Sequence, residues 1–118
     1  MPQMLASPRY MLSWALYRNR FGESRVLSLG DSLLIGRSPQ ADLRIPDQAV
    51  SRRHCLLLGL GDVPAGDRCW VLVDLGSRNG TYLNGQRINR PHSLRVGDRV
   101  QFGRIHELLL INKPGQTV

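Results

Sequence analysis

The chain has 118 residues, 42% of them hydrophobic, and a formal charge of +7 from 16 basic and 9 acidic side chains. That length holds one ordinary domain, and that apolar content is too high for a disordered tail. The longest stretch free of charge and strong polarity runs from Cys55 to Gly61, far short of the ~20 residues a membrane-spanning helix needs.

In chain order, residues 1–9, with Pro2 and Pro8, read as a flexible arm, 10–112 as the folded domain and 113–118 as a tail. The segment Tyr10 to Tyr17 is apolar but short. Arg18 and Arg20 follow it and no small-residue cleavage site does, so it does not read as a signal peptide. Two cysteines without an export signal point to a reducing cytoplasm. Short apolar runs then follow one another: Met11–Leu16, Val26–Leu29, Leu33–Ile35, Leu43–Ile45, Cys55–Leu60, Trp70–Leu75, Thr81–Leu83, Arg87–Ile88, Ser93–Val96, Arg99–Phe102 and Glu107–Ile111. Turn signals such as Gly30-Asp31, Pro46-Asp47, Asn79-Gly80 and Gly97-Asp98 separate them. None is long enough for a typical helix, and this cadence predicts an all-β sandwich or barrel.

Two hairpins are specified more closely. Asn84-Gly85 suits a type I′ turn, in which both central residues take positive φ. Cys55–Leu60 and Trp70–Leu75 should pair antiparallel, with Leu60 near Trp70 and Cys55 near Leu75. That register holds Cys55 and Cys69 far apart and argues against a disulfide.

The chemically distinctive residues gather in three linkers: Gly36-Arg37-Ser38, Ser51-Arg52-Arg53-His54 and Gly76-Ser77-Arg78-Asn79-Gly80-Thr81. They combine guanidinium groups, hydroxyls, an amide and glycines that let backbone approach closely. This is the donor set a phosphomonoester needs, with nearly two charges and three acceptor oxygens. Fifteen of the 16 basic residues are arginine, with Lys113 the exception. Setting aside Arg37, Arg52, Arg53 and Arg78 leaves 12 basic against 9 acidic residues, a balance of +3. More than half of the excess charge therefore lies in these linkers.

Taken with Asp42-Leu43-Arg44-Ile45, Val50, Asp74-Leu75, Tyr82-Leu83-Asn84-Gly85, Leu94, Gly97-Asp98 and Phe102-Gly103, the three linkers resemble the forkhead-associated (FHA) family in order and spacing from about Leu33 to Gly103. The resemblance implies a β-sandwich of about eleven mostly antiparallel short strands with ligand loops at one end. It implies a non-catalytic, cytoplasmic module that binds phosphothreonine segments of proteins acted on by a Ser/Thr kinase, with no cofactor, metal or membrane. By matching positions, Arg37, Ser51, Arg52 and Arg78 would bind phosphate, and Asn79, Ser77 and Arg53 would contact the peptide. Gly36, His54, Gly80 and Thr81 would support the site.

Other readings are weaker. A nucleic-acid-binding basic β domain would need aromatics among the basic loops, and there are none. A phosphate-independent docking domain would not need the intact Arg37, Ser51 and Asn79 set. Ser51, His54 and Asp74 supply the residue types of a hydrolase, but no nucleophile-elbow pattern surrounds Ser51. His54, Cys55 and Cys69 are too few and badly spaced for zinc. Trp14, Trp70, Tyr82 and Phe102 are expected to pack in or beside the core, while His92 and His106 have no partner legible in the sequence.

Overall fold

The computed structural model describes residues 14–60 and 69–111, and within them the chain is all-β. The arm 1–9 and the tail 113–118 lie outside the described residues. Eleven strands follow one another: β1 (Trp14–Asn19), β2 (Ser24–Ser28), β3 (Ser32–Gly36), β4 (Leu43–Arg44), β5 (Cys55–Leu60), β6 (Cys69–Asp74), β7 (Thr81–Leu83), β8 (Gln86–Arg87), β9 (His92–Ser93), β10 (Arg99–Phe102) and β11 (His106–Ile111). They form a six-stranded sheet ordered β2-β1-β11-β10-β7-β8 and a five-stranded sheet ordered β4-β3-β5-β6-β9. Every pairing is antiparallel except β3 with β4.

The core follows from alternation. Successive strand residues face opposite sides of a sheet. Ala15 and Tyr17, Leu33 and Ile35, Cys55 and Leu57, Trp70 and Leu72, Val100 and Phe102, and Leu108 and Leu110 are all buried. Trp14 and Tyr82 are half-buried. The Asn84-Gly85 hairpin forms as expected, with φ of 51° and 90° at its two central residues and Leu83 paired to Gln86.

Some boundaries differ from the sequence reading. β1 runs to Asn19, beyond the apolar run that ends at Leu16, because its polar end finds cross-strand partners: Arg18 bonds Glu107 at 2.6 Å. Residues 11–13 of that run lie outside the described set. In the β5–β6 pair, Leu60 faces Cys69 and Cys55 faces Asp74, one residue from the expected register. Cys55 and Cys69 lie at opposite ends of that pairing, with no disulfide between them.

Register places the functional loops. Ile35, Cys55 and Asp74 lie abreast in one sheet. Thr81, Phe102, His106 and Asn19 lie abreast in the other. The β3–β4, β4–β5 and β6–β7 loops, the β1–β2 hairpin and the β10–β11 turn therefore emerge at one end of the sandwich.

Candidate functional site

The β3–β4 and β4–β5 loops cross in contact. Arg37 N–H donates to Ser51 O at 2.9 Å and Ser38 N–H to Arg52 O at 3.0 Å. The crossing requires glycine at 36, since a Cβ there would stand 2.1 Å from Arg52 O. Arg37 is half-buried, and its Nε donates to Val50 O at 3.1 Å. That contact fixes the guanidinium plane while leaving its Nη groups without a partner among the described residues.

His54 joins two loops from inside. Its Nδ1 accepts the Ser51 backbone N–H at 3.1 Å, so the ring proton sits on Nε2, which donates to Gly80 O at 2.8 Å. Burial holds its pKa below the ordinary histidine value, the Gly80 bond opposing. The neutral ring satisfies both loops.

The β6–β7 loop is organised by Asp74, whose carboxylate accepts from Gly76 N–H (3.0 Å), Ser77 N–H (3.1 Å), Ser77 Oγ (2.5 Å) and Thr81 Oγ1 (2.7 Å). Burial pushes its pKa up, but the hydrogen bonds from Ser77 and Thr81 outweigh that and hold it below the ordinary value. Ser77 was expected at the peptide. Its side chain is buried, donating to Asp74 and accepting Gly80 N–H at 3.0 Å. Cys55, beneath this loop, is an inert thiol, its pKa pushed up to about 12 by burial.

Two bonds tie the second and third loops into one surface. Arg78 N–H donates to Ser51 Oγ at 2.9 Å, and Asn79 Nδ2 donates to Ala49 O at 2.8 Å. Arg37, Ser51, Arg78 and Asn79 thus gather at one place, with the exposed Arg52 and Arg53 beside them. Ser51, His54 and Asp74 form no relay: the imidazole takes the Ser51 amide, and Asp74 bonds Ser77 and Thr81.

Three residues went unassigned to the site in the sequence reading. Arg87 of β8 lays its guanidinium over Gly80, its Nε 2.6 Å from where a Cβ would stand. Asp47 caps the β4–β5 turn through Ala49 N–H at 2.8 Å and accepts from His106 Nε2 at 2.7 Å. These bonds, Ala49's first, lower its pKa. His106 is buried, bonds Tyr17 Oη through Nδ1 at 2.8 Å, and packs in a mutual cluster with the Tyr17 and Phe102 rings, whose centroids lie 6.0 and 5.6 Å from its own. Spacing carried no signal for a contact 59 residues apart. Arg87 was hidden because its neighbour is set by the fold and not by the loop sequence.

The FHA domain family model matches residues 33–103. The oxoglutarate dehydrogenase inhibitor of Corynebacterium jeikeium is 36% identical over 74% of this chain and 56% of its own length. FHA domain-containing protein FhaB of Mycolicibacterium smegmatis is 34% identical over 66% of this chain and 47% of its own. The match thus spans about half the length of these two relatives. A domain solved in work on phosphothreonine-dependent FHA domain interactions superposes with a TM-score of 0.69, 30% identical, covering 86% of this chain and 98% of that one. The FhaA FHA domain, solved in complex with an intracellular domain, gives 0.66 at 31% identity, covering 80% of this chain and 97% of that one.

Proposed function

The chain belongs to the FHA domain family, and from that premise we propose that it is a non-catalytic module binding phosphothreonine-containing protein segments. It acts as an adaptor in Ser/Thr kinase signalling or phosphorylation-dependent assembly. The observation that carries this reading is the convergence of Arg37, Ser51, Arg78 and Asn79 from three loops, with no carboxylate bonded to any of their side chains among the described residues.

Each group has capacity to spare. Arg37 offers its Nη donors to two phosphate oxygens, in the fork geometry suited to bidentate recognition. Ser51 Oγ accepts Arg78 N–H, so its own hydrogen is free to donate to a third oxygen. Asn79 retains its carbonyl oxygen and one N–H for the peptide main chain. Arg52, Arg53 and Arg78 add positive charge around a ligand that carries nearly two negative charges.

The two unbridged cysteines fit a reducing, cytoplasmic setting. Among the described residues, no helix is long and apolar enough to cross a membrane.

Titration with paired phosphothreonine and unphosphorylated peptides tests the reading. Arg37→Ala or Ser51→Ala should lower phosphopeptide affinity about ten- to a hundredfold, the effect of one or two charge-assisted hydrogen bonds. Both variants should keep the fold. Equal binding of the two peptides by the wild-type chain would sink the proposal.

A further inference from the structure

Beside the phosphate loops, the same end of the sandwich carries a second concavity. It is a cleft of about 520 Å³ between the β1–β2 hairpin, with Phe21 and Glu23, and the start of the β4–β5 loop, with Ile45, Pro46 and Asp47. Ile105 of the β10–β11 turn also lines it. Phe21 is 82% exposed, the most exposed large apolar side chain among the described residues.

That exposure is built in. Asn19 Oδ1 accepts the N–H groups of Phe21 (2.9 Å) and Glu23 (3.2 Å), and Asn19 Nδ2 donates to Glu23 Oε1 at 2.9 Å. Arg20 N–H is bonded to Ile105 O at 3.2 Å, tying the hairpin to the neighbouring turn. The ring is therefore held out to solvent on a fixed turn. A preorganised exposed aromatic beside a pocket has the character of an interface anchor, because little conformational freedom is left to lose on binding.

The chemistry of the cleft differs from that of the phosphate loops. Its lining holds two carboxylates, Glu23 and Asp47, and no arginine. Phosphate and acidic side chains are disfavoured there, and apolar ones suited. One bank is continuous with the binding loops: residues 45–48 lead directly to Ala49, whose carbonyl Asn79 holds, and to Ser51. A ligand seated on Ser51 and Asn79 has this bank within reach of its own chain.

We propose that the cleft is a second anchor for the phosphorylated ligand. A large apolar side chain, in the same segment but outside the immediate flank of the phosphothreonine, packs between Phe21 and the Ile45–Pro46 bank. The proposal rests on the phosphothreonine reading and adds a binding site on a hairpin that the three motif loops do not include.

A long oriented phosphothreonine peptide library, degenerate on both sides, tests it with the wild-type chain, Phe21→Ser and Arg37→Ala. The wild type should select Leu, Ile, Met or Phe at one distant position, and Phe21→Ser should erase that selection while keeping the phosphate requirement. A single peptide carrying the selected residue should bind Phe21→Ser about tenfold more weakly, as loss of one apolar contact implies. The same peptide with Ser at that position should bind both proteins equally. Absence of apolar selection by the wild type, or its persistence in Phe21→Ser, overturns the anchor and leaves the phosphothreonine reading standing. Loss of discrimination between phosphorylated and unphosphorylated libraries would instead overturn that reading, and the anchor with it. Sedimentation of the ligand-free chain covers the other occupant: a dimer dissolved by Phe21→Ser would give the cleft to a second copy and overturn the proposal.

Discussion

The β6–β7 and β4–β5 loops are each built around one aspartate, but the aspartates draw their partners from different distances along the chain. Asp74 takes four donors, all from Gly76, Ser77 and Thr81, within seven residues of itself. Asp47 takes one local donor, Ala49 N–H, and one from His106 on the far sheet. The aspartate of the first loop draws all its donors from its own stretch of sequence. The second holds its shape only while both sheets are packed. A loop of the first kind shows in the sequence as a string of residue types, whereas one of the second kind shows only half of itself.

The largest expected break is at Asp74. Asp74→Ala leaves two backbone N–H groups and two hydroxyls without their acceptor in a part-buried setting. Unsatisfied groups of this kind cost about 1–3 kcal/mol each before relaxation and water repair some of the loss. A destabilisation of roughly 3 kcal/mol in urea unfolding is expected. Phosphopeptide affinity should fall too, since Asn79 sits in the same loop. If Asp74→Ala costs less than Asp47→Ala, the contrast between the loops is wrong.

Asp47→Ala should be milder, about 1–2 kcal/mol, because only Ala49 N–H and His106 lose an acceptor there. Its effect reaches the site through Val50 and Ser51, which follow the capped turn, so phosphopeptide affinity should drop several-fold, by roughly 1 kcal/mol. Asp47→Asn sharpens the test. An amide has one acceptor oxygen where the carboxylate uses two. It can cap Ala49 and still meet His106 only if the imidazole proton moves from Nε2 to Nδ1. Imidazole nitrogen spectra of Asp47→Asn should show that tautomer change; an unchanged Nε2–H would mean the Asp47–His106 bond does not set the ring.

The same contrast governs what could be read without the structure. The alternation in β3, β5, β10 and β11, the Asn84-Gly85 turn and the three loop strings are local patterns, so the positions of these strands along the chain and the loop content were legible. Ser77 carried the right residue type in the right string, but which way its hydroxyl pointed depended on Asp74 being within reach. His106 and Arg87 act across strands that only the sheet register brings together. β1 extends past its apolar run for the same reason, as Arg18 becomes a good strand residue only opposite Glu107.

His54 belongs to both loops, and its titration gives the smallest effect and the sharpest discrimination. Its neutral ring accepts from Ser51 N–H and donates to Gly80 O; the protonated ring must give up the Ser51 bond. Burial lowers its pKa in the folded chain below the ordinary 6.5. Below that pH the unfolded chain therefore takes up more protons than the folded one. The contribution of His54 is fully present above pH 6.5 and is lost as pH falls through 6.5 toward the folded value, with a slope bounded by about 1.4 kcal/mol per pH unit for one proton. Asp74 and Asp47, both held below the ordinary 3.8, contribute only to a later loss, below that pH. Unfolding stability, not ligand affinity, is the readout, because the phosphate itself gains a proton near pH 6. Imidazole spectra taken alongside should show His54 keeping its Nε2–H tautomer below pH 6.5. Titration of His54 at its ordinary value, with stability flat from pH 7.5 to 5.5, would show that the ring does not clamp the two loops together.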